Sequence, residues 1–278
     1  MKRYFDTLRN SPPKKALTIA LVVIVLNALL YLQPVYLFVG ADIALFTNNL
    51  TNVVTALLSV WLAYRLFRSF HHRESQRLIW GSLLAGLGLW MIAEITWDTY
   101  QLMRGIDGPA ASPADIAWTL GYLAVICGLV LSLRAFRMRP TKPWQLAALA
   151  VFGVFVVLAV VYLIIPALVQ AQAGSPYLVF VTVVYPLCDL VMAGLALVLV
   201  LVLEGGLLSR PWTAIALGCF FAAVSNLLYA FALSHGIFQV DPAAGLNLIS
   251  YLVDTSYTFA YVMTALGMYL QARLQDAI

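Results

Sequence analysis

The sequence predicts an all-α polytopic integral membrane protein with eight transmembrane helices and both termini in the cytoplasm. Three observations predict it. The 278-residue chain is 63% hydrophobic and only 10% charged, against roughly 25% charged residues in an ordinary soluble domain. Its apolar residues gather in eight runs, near 16–38, 43–66, 78–103, 114–135, 145–170, 177–204, 211–235 and 247–272, each meeting the roughly 20 residues that a bilayer core requires. Fifteen of the sixteen Lys and Arg residues lie in segments that alternate along the chain so as to share one side of the membrane, and short basic loops stay cytoplasmic.

Each element follows from that code. The cytoplasmic N-terminal segment, 1–15, carries Lys2, Arg3, Arg9, Lys14 and Lys15 ahead of span 1. That first run is long enough for a full crossing and no small-residue cleavage site ends it, so it reads as a span rather than a leader. Gly40 and Asp42 mark an outer turn before span 2, and Arg65, Arg68, Arg73 and Arg77 return the chain to the inside. Span 3 ends at the outer loop 105–113, beside the single outer base, Arg104. There Ser112 reads as a helix N-cap, Pro113 as the first helical position and Asp115 as an acid favouring the positive helix end. Arg134, Arg137, Arg139 and Lys142 follow span 4, Gly174 to Pro176 separates spans 5 and 6, Arg210 precedes span 7, Asp241 to Gly245 precedes span 8, and Arg273 ends it. Pro34, Pro166 and Pro186 fall within or near the ends of spans and predict local kinks. The connections are too short for a further domain, so 1–278 reads as one transmembrane domain.

An internal repeat is suggested, with units 16–135 and 145–273. LLAGLGLWMIAEITWDTYQLMRGI and the following SPADIAWTLGYLAVICGLVLSL match in rhythm ALGCFFAAVSNLLYAFALSHGIF and NLISYLVDTSYTFAYVMTALGMYL. Gly105–Ile106 then meets Gly236–Ile237, Trp118 meets Tyr251 and Asn52 meets Asp189. Units of four spans insert the same way up, a 4+4 parallel repeat about an axis along the membrane normal. Chance similarity between apolar helices is the competing explanation.

Several function classes are excluded or disfavoured. The net charge of +4 is accounted for by topology, so no nucleic-acid partner is implied. Cys127, Cys188 and Cys219 sit inside apolar runs, without disulfide or zinc spacing. No intramembrane Lys is present to hold retinal as a Schiff base, and His71, His72 and His235 lie at loops or helix ends, away from where a membrane haem takes axial ligands. No nucleophile–base pair or phosphate-binding loop appears, so no catalytic residue, metal site or cofactor is assigned.

What stands out is polarity within the spans. An ionisable residue there costs about 2.5–3.5 kcal/mol even on the lenient insertion scale, and the sequence places Glu94, Asp98, Asp189 and Asp254 inside runs. On span 3, Trp90, Glu94, Trp97, Asp98 and Gln101 recur at helical spacing and share one face. Span 8 repeats the arrangement with Asn247, Ser250, Asp254, Tyr257, Thr258 and Tyr261. Tyr185 and Asp189 on span 6, Ser225, Asn226 and Tyr229 on span 7, and Asn48, Asn49, Asn52 and Thr55 on span 2 complete the set. At about 1.5 Å per residue, Glu94, Asp98 and Asp254 fall in the outer third, with Asp189, Asn52 and Asn226 near the middle. The expected shape is a cup open to the outside above a floor of packed Leu, Val and Ala.

Three readings stay open. Interhelical polar contacts alone are worth about 0.6 kcal/mol on average. A pocket for a small-molecule ligand from the extracytoplasmic side would use Trp90, Glu94, Trp97, Asp98, Gln101, Asn52, Tyr185, Asp189, Asn226, Tyr229, Asp254 and Tyr257, since aromatic walls with a few convergent polar groups are the usual make-up of such sites, and aromatic faces beside carboxylates suit a cation. A secondary transporter or proton- or cation-coupled protein would use Glu94, Asp98, Asp189 and Asp254, but would need polar stepping stones in the inner half.

Three segments also carry a family likeness. Gly108 to Tyr122 (G-x-x-x-S-P-A-D-I-A-W-T-L-G-Y), Tyr185-Pro-Leu-Cys-Asp189-Leu, and the last span with Tyr251 and Asp254 resemble the multi-span membrane sensor regions found ahead of diguanylate cyclase, phosphodiesterase or histidine kinase domains in bacterial signalling proteins. The likeness runs from about Ile79 onward. It implies a sensor in the bacterial inner membrane with a cytoplasmic signalling partner. On that basis the chain is expected to be either a stand-alone relative or the membrane part of a longer protein. The basic loops 65–77 and 134–142 are the candidate contact surface, with anionic lipid as their other natural partner.

Overall fold

A computed structural model describes residues 12–30, 32, 38–104, 112–136, 142–171, 180–235, 237 and 248–278. Every long apolar run becomes a helix: α1 (Pro12–Leu30), α2 (Ala41–Ser69), α3 (Ser75–Arg104), α4 (Pro113–Ala135), α5 (Pro143–Ala159), α6 (Tyr185–Val202), α7 (Ser209–Ser234) and α8 (Leu248–Leu274). The described residues contain no strand. Among the described residues six helices hold a stretch long and apolar enough to cross a bilayer, on α2 to α7. The first and last expected spans correspond to α1, of 19 residues, and α8, of 27. In α8 the apolar mean is lowered by residues it buries, among them Ser250, Ser256, Thr258 and Gln271.

The exterior is apolar and the interior carries the polar groups, the reverse of a soluble domain. Val151, Tyr162 and Ile116 are 71%, 67% and 65% exposed, while Glu94, Asp189, Ser225 and Thr258 are buried. Such a surface belongs against lipid, and the protein is a multi-pass membrane protein.

Two of the three prolines expected to bend helices directly follow π-helical turns. Residues Val160–Ile164 form one between α5 and its continuation Ile165–Ala171, which contains Pro166. Phe180–Val184 forms another just before α6, whose second residue is Pro186. Proline lacks the N–H for the i→i−4 bond and crowds the carbonyl behind it, and a wider turn relieves both. Pro34 lies outside the described residues.

Six helices close a ring in the order α2, α3, α4, α6, α7, α8 and back to α2. Outside it, Ala20 of α1 packs with Ala214 of α7 and with Val262, Met263 and Leu266 of α8. Ala159 and Ile164 of the α5 segment pack with Leu190 of α6 and Leu227 of α7. Small residues let the paired helices approach closely. A Cβ on Gly86 would lie 3.0 Å from the Gly121 carbonyl oxygen of α4, and one on Gly218 would lie 3.0 Å from that of Ala260 on α8. At the other crossing points, Gly128 faces the Ile79 oxygen and Gly267 that of Pro211.

The basic residues mark one end of the ring. Lys142 pairs there with Glu204 at 3.1 Å. The indoles of Trp80 and Trp212, each 2% exposed, lie 6.0 Å apart between centroids just inside that end.

Candidate functional site

Helical spacing delivers the side chains to one level of the ring. On α3, Trp90, Trp97 and Asp98 each stand three or four residues from Glu94, and Glu94 and Asp98 are buried. On α4, Asp115, Trp118 and Tyr122 do the same, opposite Tyr185 and Asp189 of α6. Asn226 comes from α7, and Tyr257 and Tyr261 from α8.

Two carboxyl-centred networks result. Glu94 Oε1 accepts from the Tyr257 hydroxyl at 2.5 Å, the Tyr261 hydroxyl at 2.9 Å and Trp118 Nε1 at 3.2 Å. Three donors from two other helices therefore converge on one oxygen of α3. Asp189, fully buried, accepts from the Tyr122 hydroxyl at 2.9 Å and from Asn226 Nδ2 at 2.7 Å. Asn226 Nδ2 also reaches the Tyr122 oxygen at 3.0 Å. Aromatic contacts connect the networks: centroids are 5.7 Å apart for Trp97 and Trp118, 6.5 Å for Trp118 and Tyr185, 5.8 Å for Tyr185 and Tyr122, and 5.2 Å for Tyr122 and Trp90. Trp90 Nε1 donates to the Trp118 carbonyl oxygen at 3.2 Å.

Below this level lies a cavity of about 50 Å³, large enough for roughly three or four ordered waters or a small organic group. Its polar end is formed by Trp90, Trp118, Tyr122, Asn226, Tyr257 and Tyr261, and the rest by such residues as Leu83, Leu129, Met192, Ile215 and Met268. The space runs from the aromatic layer toward the basic end rather than stopping at the level of the acids. The reason is side-chain size. Gly218, Cys219, Ala222, Ala260 and Thr264 line it on α7 and α8, and they are too small to fill the room beneath the aromatic rings.

Of the residues singled out in the sequence, Trp90, Asn226, Tyr257 and Tyr261 touch the cavity, while Glu94 and Asp189 stand directly behind its wall. Trp97 and Tyr185 belong to the aromatic chain beside it. Asn52 lies instead at the seam of α2 and α8, where the Thr258 hydroxyl is 3.0 Å from its Oδ1 and 2.7 Å from that of Asn48. Asp98 is buried without a hydrogen bond among the described residues, Tyr229 packs against the main core, and Asp254 is half-buried one turn beyond Tyr257. The side chain of Gln101 and all of Asn247 lie outside the described residues.

Three further residues, Asp115, Trp118 and Tyr122, join the site beside Tyr261 of the span 8 face. Trp118, Tyr122 and Tyr261 line the cavity, and the Asp115–Trp118–Tyr122 spacing on one face of α4 was the available signal. Asp115 does take the capping role: its Oδ2 accepts the Ser112 N–H at 2.8 Å, and the Ser112 hydroxyl lies 3.1 Å away. It also accepts the Tyr185 hydroxyl on Oδ1 at 2.8 Å, so it braces α6 against the start of α4.

Among the described residues no basic side chain pairs with Glu94, Asp98 or Asp189; the ion pair found there is the exposed Lys142–Glu204. Nor do they contain a group of three His, Cys, Asp or Glu placed to hold a metal ion. No protein-family model, curated protein or solved structure matches the chain.

Proposed function

We propose that this is a sensor-type receptor of the cell membrane, binding a small molecule inside the ring and passing its state to a cytoplasmic signalling partner. The carrying observation is the cavity itself, an apolar body with six aromatic or amide groups at one end. That make-up is usual for small-molecule sites. Their polar tips are fixed by Glu94 and Asp189, two acids whose intramembrane cost of about 2.5–3.5 kcal/mol each calls for a role beyond packing.

The same reading takes all eight helices as spans, both termini as cytoplasmic and the two halves as repeated units. Contacts support the repeat. Asp115, Thr119, Tyr122, Gly128 and Arg134 of α4 stand in the same order and spacing as Asp254, Thr258, Tyr261, Gly267 and Arg273 of α8. Tyr122 meets Asn226 as Tyr261 meets Glu94, the glycine crossings of α3 with α4 match those of α7 with α8, and Trp80 matches Trp212. In this register Trp118 stands opposite Tyr257 rather than Tyr251. The equivalence holds for α2–α4 and α6–α8, whereas α1 and α5 pack in non-equivalent places.

One observation favours transport as a second reading: the cavity continues past Asp189 toward the basic end. Its lining there is Leu83, Leu129, Ile215 and Met268, which offers an ion no ligands. The two readings separate in liposomes. A sensor binds without net flux, whereas uptake of a bound solute or of protons that disappears in Asp189→Asn would overturn the sensor reading.

A further inference from the structure

We infer that the cavity selects a ligand with an apolar body and a hydrogen-bond-donating cationic head, of the small alkylammonium class, over the carboxylate of the same shape. This rests on the cavity being the ligand pocket. The donor inventory of its wall leads there.

Each strong donor on that wall is already engaged by the protein. Trp90 Nε1 donates to the Trp118 carbonyl oxygen, and Trp118 Nε1 to Glu94. The Tyr257 and Tyr261 hydroxyls donate to Glu94, and that of Tyr122 to Asp189. Asn226 Nδ2 is shared between Asp189 and the Tyr122 oxygen. Even Thr264, lower in the cavity, donates back to the Ala260 carbonyl oxygen at 2.8 Å. Only the weak thiol donor of Cys219 is left.

What the wall keeps is acceptors. Phenol oxygens retain lone pairs after donating, the Asn226 side chain retains its carbonyl oxygen, and the rings of Trp90, Trp118, Tyr122, Tyr257 and Tyr261 present electron-rich faces. A carboxylate head would meet lone pairs and no N–H or O–H group, and a buried charge without such partners is strongly disfavoured. An ammonium meets acceptors and π faces, with two acids just behind them that have no basic partner among the described residues. The apolar lower wall takes the alkyl chain.

The test uses the full chain in nanodiscs at neutral pH with n-butylammonium, n-butanol and butyrate as probes. Binding is read by tryptophan fluorescence, Trp90 and Trp118 being in the wall, and by the shift in thermal midpoint that a ligand of the folded state produces. Butylammonium is expected to bind at least tenfold tighter than butyrate, and binding is expected to vanish in Ala222→Phe, which fills the cavity, and to weaken in the milder filling variant Thr264→Leu. Tyr257→Phe, which removes one acceptor oxygen, is expected to narrow the ammonium-to-butyrate ratio several-fold. Butyrate bound as tightly as butylammonium, and lost in the filling variants, would overturn the donor rule while leaving the pocket intact. If no probe binds, or if bound probes are indifferent to both filling variants, the pocket reading itself fails and the inference with it.

Discussion

Replacing Asp189 by Leu distinguishes a site from a structural fastener. The carboxyl accepts two interhelical hydrogen bonds, from Tyr122 on α4 and Asn226 on α7. Such bonds between membrane helices contribute about 0.6 kcal/mol on average and at most about 1.7, so the pair is worth about 1–3.5 kcal/mol. Against that stands about 2.5–3.5 kcal/mol for holding an acid deep in the membrane. Leucine removes both terms, and little further penalty follows, because Asn226 keeps the Tyr122 oxygen at 3.0 Å and the Tyr122 hydroxyl can turn to water in the adjacent cavity. The variant should therefore lie between about 2.5 kcal/mol more stable and 1 kcal/mol less stable than the parent. Reversible unfolding in mixed SDS micelles measures this, and in the same protein the binding of butylammonium should fall at least tenfold. A loss of more than 3 kcal/mol with unchanged binding by the folded fraction would refute the reasoning: the acid would then be there to hold three helices together.

Three other outcomes are expected. Gly218→Ala and Gly267→Ala, whose Cβ atoms would sit 3.0 and 2.9 Å from backbone oxygens of the facing helix, should each lose about 1–3 kcal/mol by overpacking, whereas Gly88→Ala and Gly153→Ala, with open space around them, should be neutral or better in the same unfolding assay. Asp115→Ala should lose about 1–2 kcal/mol, because both the cap on α4 and the Tyr185 bond go; Tyr185→Phe measured alongside separates the two parts. Lys142→Ala should change stability by less than about 1 kcal/mol, since its ion pair with Glu204 is exposed and such pairs are weak.

The helices were legible because the bilayer leaves little choice: a run of the right length must satisfy its backbone internally, and α2, α3, α4 and α7 fall within about three residues of their expected limits, whereas α5 and α6 approach theirs only through the π-helical turns Val160–Ile164 and Phe180–Val184. Glu94 and Asp189 were legible because charge inside an apolar run is conspicuous. Asp115 was not, since a complete local explanation as a helix cap concealed its second partner, Tyr185, 70 positions away in the chain. Trp118 and Tyr122 escaped for a different reason: aromatic residues are ordinary in membrane helices, and nothing local tells which of them face a void. The void was the least legible feature. It depends on how far Gly218, Ala222 and Ala260 stand from the residues opposite, a distance that ring closure sets and no single run contains.

The paired indoles of Trp80 and Trp212 carry a consequence of their own. They lie one helical turn from Leu83 and Ile215 of the cavity wall, on its basic side, so a passage opened between them would part an aromatic contact rather than an ionic one. Parting it would hydrate two indole surfaces, a process with a positive heat-capacity change and little dependence on ionic strength. The opening equilibrium should therefore curve with temperature while remaining nearly flat in salt, a calorimetric signature unlike that of a gate held shut by Lys142 and Glu204 at the rim.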